Sequence, residues 1–158
     1  MRIRVATLII AAVCGALLLA APATAAAGPG VLKATLTPGA VPTGGHAGGS
    51  GEAYVAIDPA SGRVCTVVVV RGVPEIIAAH IHKGAAGEQG PHAIDLDTPA
   101  DLGASTTAGI TCAVEPPSLV ADLLANPSGY YVNVHSFARP LGAVRGQLVS
   151  LTGGAAAS

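Results

Sequence analysis

The stretch IIAAHIH, residues 76–82, decides the fold because its side chains alternate in character along the chain. Successive side chains of a β-strand point to opposite faces of the sheet. The odd positions, which include Ile77 and Ile81, are all apolar and predict a face turned toward a hydrophobic core. His80 and His82 belong to the alternate positions, so we expect both imidazoles on the outer face of one strand.

The rest of the chain has the same rhythm of short Val-, Ile-, Thr- and Tyr-rich runs between glycines and prolines, of which there are 21 and 12. Runs of this kind at intervals of about ten residues are typical of an all-β domain. The predicted strands span residues 31–36, 52–57, 64–71, 76–82, 105–114, 129–136 and 143–151. We therefore predict an antiparallel Greek-key β-sandwich or barrel.

One short helix is predicted near residues 118–125, SLVADLLA. Two prolines precede it, Ser118 is a suitable N-cap, and Asn126 with Pro127 ends it. This helix, or helical turn, would join two strands.

The N-terminus has the layout of a cleaved secretory signal peptide over residues 1–27. Arg2 and Arg4 form a basic start, an apolar run follows, and small residues close it near Ala25 or Ala27. The alternative is an uncleaved anchor, although the run is short for a membrane span. We expect a secreted, extracytoplasmic protein with one domain over residues 28–152 and a disordered Gly- and Ala-rich tail over residues 153–158.

The charge of the mature chain limits its partners. Without Arg2 and Arg4, six basic and nine acidic side chains remain, for a net charge of −3. A weakly acidic domain with no basic run is a poor nucleic-acid binder. No later segment is long and apolar enough to cross a membrane. We expect a monomer whose partner is an extracellular protein or a metal ion.

Cys65 and Cys112 are the two cysteines that remain after signal removal. Two cysteines in an exported chain usually pair. The bridge would close a loop of about 48 residues and stabilise the fold by roughly 4 kcal/mol by chain-entropy arguments. Two buried thiols or two thiolate metal ligands are the alternatives.

The predicted hairpin of residues 129–136 and 143–151 carries polar side chains at alternate positions, away from its apolar set. Its outer face would present Tyr131, Asn133, His135, Arg145 and Gln147. If this hairpin lies beside the strand of residues 76–82, His135 meets the two histidines of that strand.

Three neutral imidazoles, His80, His82 and His135, would suit Cu(II) or Zn(II). His92, which follows the glycine-rich loop of residues 83–91, could reach this cluster from the loop. The plainer interpretation is a polar surface with a histidine bracing the loop. Arg145 on the same face argues against a cation there, unless the arginine serves an anionic ligand.

Catalytic signatures are absent from the sequence. No serine lies in a G-x-S-x-G setting. Asp95, Asp97 and Asp101 do not have the spacing of a calcium-binding loop, and we interpret them as solvated loop acids. We therefore favour a protein that is not an enzyme.

Three blocks of the sequence resemble the CHRD domain: AAHIHKGAAGEQGP at residues 78–91, LLANPSGYYVNVHS at 123–136 and RPLGAVRGQL at 139–148. The resemblance covers residues 31–151 and implies an extracellular β-sandwich. The polar positions that it carries over are His80, His82, Asn126, Tyr131, Asn133, His135, Arg145 and Gln147. The chain departs from the family at His92, where an aliphatic residue is usual.

A fainter similarity is to copper,zinc superoxide dismutases, which also have an H-x-H strand, a G-P-H segment and a later strand ending in V-H. The matching positions are His80, His82, His92 and His135. The segment after His82 is too short for the zinc loop of that family, the full set of zinc ligands is missing, and the cysteines are placed differently.

Three hypotheses follow. The first is a non-enzymatic binding module whose outer face holds a ligand, metal ion or partner protein. The second is a copper or zinc protein with a superoxide-dismutase-like histidine site. The third is a purely structural domain, in which Asn133 and Gln147 satisfy loop backbone and Arg145 pairs with an acid such as Glu75.

Overall fold

The computed structural model describes residues 28–101 and 105–151. The predicted signal peptide and the predicted tail from residue 153 onward lie outside these residues. The strands are β1 Gly30–Leu36, β2 Ser50–Asp58, β3 Arg63–Arg71, β4 Ile76–Lys83, β5 His92–Leu96, β6 Ala100–Asp101, β7 Thr106–Val114, β8 Tyr130–Ser136, β9 Arg139–Gln147 and β10 Val149–Ser150. One α-helix, α1 Pro117–Ala125, joins β7 to β8.

Two antiparallel sheets form a sandwich, as the strand rhythm predicted. The first sheet has the order β10-β1-β2-β3-β7-β6 and the second has the order β5-β4-β8-β9. The chain crosses between the sheets after β3, after β5, after β7 and after β9. As a result, β3 lies beside β7 and β4 lies beside β8. A bridge between Thr37 and Arg145 and the crossing at Leu148 connect the sheets along one edge.

The hydrophobic core lies between the sheets and is built from alternate positions of their strands. Leu32, Val55 and Val68 come from the first sheet and meet Ile81 and Val132 of the second. Burying aliphatic side chains contributes about 1.5–3 kcal/mol each, so alternation fixes which side of each strand faces inward. The helix adds Val120 and Leu123 to this core.

Several expectations about single elements need correction. Ile77 is 49% exposed rather than inward, because a bulge in β4 between Ile76 and Ala78 lets this residue leave the alternation. Ser118 does not cap the helix; Pro116 occupies the N-cap position, and no side chain caps it. The predicted strand of residues 143–151 begins earlier, at Arg139, and is divided at Leu148.

Cys65 and Cys112 form the predicted disulfide. The two residues lie directly opposite each other on β3 and β7. The disulfide therefore links β7, which has no buried residue, covalently to β3. Among residues 28–101 and 105–151, no helix has the length and hydropathy to span a membrane.

Candidate metal centre

The pairing of β4 with β8 brings the histidines together on the outer face of the second sheet. His80 lies opposite Asn133, His82 opposite Tyr131, and His135 opposite Ala78. Because all these side chains alternate with core residues, they point to one side of the sheet. Strands β4 and β8 are thus neighbours. The sequence allowed this pairing but did not establish it.

The three imidazoles of His80, His82 and His135 form a compact cluster. Their nearest potential ligand atoms all lie within 4.8 Å of one another. His80 Nδ1 is 3.1 Å from His135 Nε2. His82 and His135 are only 6% and 8% exposed, so these two imidazoles are buried away from the core of the sandwich.

Backbone carbonyls set the tautomers of the two buried histidines. His82 Nδ1 donates to the Gly90 carbonyl at 2.9 Å, and His135 Nδ1 donates to the Pro140 carbonyl at 2.9 Å. Each neutral ring then has an unprotonated Nε2. The Nε2 atom of His82 has no hydrogen-bond partner among the described residues, whereas that of His135 lies 3.1 Å from His80 Nδ1. Histidine ligands of metals commonly have the second ring nitrogen held by a carbonyl in this way.

The electrostatic surroundings keep the imidazoles neutral. Burial, followed by the charges of neighbouring histidines, lowers the pKa of His80 to about 4. Burial is also the main cause that lowers the pKa of His82 and the pKa of His135. Neutral imidazole is the form that binds metal ions, so no proton has to leave the ring nitrogens of His82 and His135 that face the cluster.

A bulged segment of β9, residues 140–143, covers one side of the cluster. These four residues lie opposite the single residue His135, where β8 advances from Val134 to Ser136. The Pro140 carbonyl accepts the hydrogen bond from His135 Nδ1, and the Leu141 carbonyl accepts one from Asn133 Nδ2 at 3.3 Å.

The glycine-rich loop of residues 84–91 covers the other side. Arg145 donates to the carbonyls of Ala85 and Glu88, and its guanidinium carbon lies 3.3 Å from the centre of the Tyr131 ring. Gln147 Nε2 donates to the Gly84 carbonyl at 2.8 Å. The loop is thus held by side chains of the sheet beneath it.

A cavity of about 230 Å³ opens beside the cluster. Its walls include His82, His92, Asn133, His135 and Arg145. Within the described residues, two buried polar atoms of this wall, His82 Nε2 and Asn133 Oδ1, have no hydrogen-bond partner. Buried polar atoms are nearly always satisfied, so these two acceptors are available to water or to a ligand in the cavity.

The structure changes the expected picture of this face in three ways. Tyr131, Asn133, His135 and Arg145 lie on the outer side of the sheet as predicted, yet all are buried under the two covering segments. Arg145 contacts loop carbonyls and Gln147 rather than Glu75.

The third change concerns His92 and Asp95. Asp95 lies in strand β5 beside the histidines instead of in a loop. His92 stacks on His80 with ring centres 3.9 Å apart, and it forms a second group of potential metal ligands with His80 and Asp95. No alternation rule pointed to Asp95, although its spacing of three from His92 was visible in the sequence.

The protein is thus a two-sheet β-sandwich that carries a histidine cluster under a glycine-rich loop. The model of the CHRD domain family matches residues 32–148, and the chain belongs to that family. No curated protein sequence matches the chain.

Proposed function

We propose that this CHRD-domain protein binds a transition-metal ion, Cu(II) or Zn(II), through His80, His82 and His135. One observation carries the proposal. Two of the three imidazoles have Nδ1 tied to a backbone carbonyl, and they turn unprotonated Nε2 atoms toward a third imidazole in a buried cluster. The unsatisfied His82 Nε2 is where a metal would bind.

Three histidine nitrogens with a fourth position facing a cavity is a donor set found in open zinc and copper sites. In such a site the ion acts as a Lewis acid and keeps one coordination position for an external ligand. The histidines here would hold the ion, and the Gly90 and Pro140 carbonyls would orient them. The covering segments would limit the access of water.

A binding module for a small anion is the second candidate, and Arg145 favours it. Its side chain is buried, and the acceptors that it contacts are two carbonyls and an amide oxygen rather than a carboxylate. A buried guanidinium that contacts no carboxylate among the described residues makes the electrostatic potential of the adjoining cavity more positive. An anion could bind there alone or at the open position of the metal.

We also propose that the chain is exported and loses its first 25 or 27 residues, which the disulfide and the match to the CHRD domain family support. On this proposal the mature protein acts as a monomer and binds no nucleic acid. N-terminal sequencing of protein from the culture medium tests export, with Gly28 or Ala26 expected as the first residue.

Calorimetric titration of the purified protein with Zn(II) and Cu(II) tests the metal proposal. We expect a sub-micromolar site that is lost in His82→Ala and in His135→Ala. His46→Ala is the matched control, because His46 lies in the loop before β2. Circular dichroism verifies that each variant folds. Folded variants that bind as tightly as the wild type would refute the assignment and favour a structural role for the histidines.

A further inference from the structure

We propose a second cation site on the solvent side of the cluster, formed by His80 Nε2, His92 Nδ1 and the carboxylate of Asp95. This inference rests on the proposed function, because His80 would be shared with the ion held by His82 and His135. The protein would then bind two ions for each chain, with the His80 ring between them.

A β-bulge creates the second group of ligands. His92 and Asp95 are three positions apart, so a regular strand would turn them to opposite faces. Between Ile81 and His82 the partner of β4 moves two positions along β5 instead of one, so that Ala93 is the extra residue. The bulge returns His92 to the face that carries Asp95, which is a known way of re-aiming side chains near functional sites.

The distances place three donor atoms around one point. His92 Nδ1 lies 3.2 Å from Asp95 Oδ1, and His80 Nε2 lies 3.8 Å from the same oxygen. The three ligand atoms are all within 4.8 Å of one another. Asp95 and His92 are 81% and 53% exposed in their side chains, so small rotations can bring both onto an ion.

The two groups differ in charge and setting in a way that suits two ions. The first offers three neutral nitrogens, two of them in buried residues, whereas the second adds a carboxylate at the surface. Two nitrogens and one carboxylate oxygen are donors that Zn(II) accepts, with water completing a tetrahedron. The carboxylate also offsets the charge that a second ion would add near the first.

Because both ions would share the His80 ring, the proposal also predicts how many protons metal binding releases. In the metal-free protein, His135 Nε2 carries no proton, so His80 Nδ1 donates to it. An ion held by His80 Nδ1 would leave the ring proton on Nε2. A second ion held by Nε2 would have to displace that proton to solvent, because both ring nitrogens of His80 would then be ligands.

Metal content after equilibrium dialysis against Zn(II) tests the stoichiometry. We expect two ions for each wild-type chain and one for each chain of Asp95→Asn and of His92→Ala. Asp97→Asn is the matched control, since Asp97 is an exposed acid just after β5, and it should keep two. Calorimetry in two buffers of different ionisation enthalpy should show one proton fewer released by Asp95→Asn.

The outcomes separate this inference from the proposed function. One ion for each wild-type chain, unchanged in Asp95→Asn but lost in His135→Ala, overturns the second site and leaves the first standing. Two ions in Asp95→Asn and His92→Ala as well would place the second ion elsewhere and also overturn the inference. No bound ion in the wild type overturns both.

Discussion

His82 and His135 illustrate how single side chains determine the chemistry of this protein. Each imidazole could carry its proton on either nitrogen, and in each case a backbone carbonyl fixes it on Nδ1. The two carbonyls come from covering segments rather than from the sheet. The chemistry of the cluster therefore depends on residues that have no reactive group of their own, Gly90 and Pro140.

Acid should destabilise the metal-free protein because of these histidines. Burial lowers the pKa of His82 and His135 and, with neighbouring histidines, brings the pKa of His80 to about 4. The unfolded chain takes up these protons near pH 6.5, so it binds more protons than the folded chain below that pH. The stability is thus fully present above about pH 6.5 and is lost as the pH falls toward about 4.

Thermal unfolding in the presence of a chelator measures this effect. We expect a Tm several degrees lower at about pH 5 than at about pH 7.5. A His80→Gln/His135→Gln variant should show a smaller difference between the two conditions. The same Tm at both values of pH in the wild type would contradict the burial of neutral histidines.

At the scale of elements, two irregularities in otherwise regular strands shape the site. The bulge in β5 turns His92 toward Asp95, and the unpaired residues of β9 cover His135. Each irregularity changes a side chain's direction or adds backbone above the sheet. Regular strands alone would leave a flat, solvated row of polar residues.

Substitution of Gly90 in the glycine-rich loop should weaken metal binding. A Cβ at Gly90 would overlap the Lys83 carbonyl, so Gly90→Ala must displace the carbonyl that orients His82. Loss of such a supporting hydrogen bond typically weakens metal binding by about 10- to 100-fold. We expect that loss in a competition titration against a chromophoric chelator.

Gly39→Ala is the control for the loop variant, because open space surrounds a Cβ at that position. It should bind Zn(II) like the wild type. Wild-type affinity in Gly90→Ala would mean that the loop does not position His82.

Alternation in the sequence was enough to place His80 and His82 on the outer face of one strand, and Asn133 and His135 on the outer face of another. It could not reveal that His82, Asn133 and His135 are buried, because the covering segments are a loop and a strand bulge, whose paths follow no periodic pattern. It also could not join His92 to Asp95, since the bulge that unites them breaks the very rule of alternation. The alternation of side chains therefore predicted the strands of the sheet. The site depends on the bulges and the loop, where that alternation is interrupted.

On the scale of the whole molecule, the residues that stabilise the fold lie apart from the candidate site. The aliphatic core lies between the sheets, whereas the histidine cluster lies on the opposite side of β4 and β8. The disulfide lies in the other sheet, between β3 and β7. Changes on one side of the sandwich should thus leave the other side largely intact.

Removal of the disulfide tests this separation. A Cys65→Ala/Cys112→Ala variant should lose about 2–4 kcal/mol of unfolding free energy in guanidinium, since β7 has no buried residue to hold it in place. Its Zn(II) content at neutral pH should equal that of the wild type. Loss of metal from the folded variant would show that the two sheets are coupled.

Anomalous diffraction from crystals grown with Zn(II) tests whether His80, His82 and His135 bind a transition metal. The prediction is an anomalous peak about 2.0–2.1 Å from His82 Nε2, from His135 Nε2 and from one nitrogen of His80. A peak found only at other residues, or an ordered cluster without a peak, would contradict it.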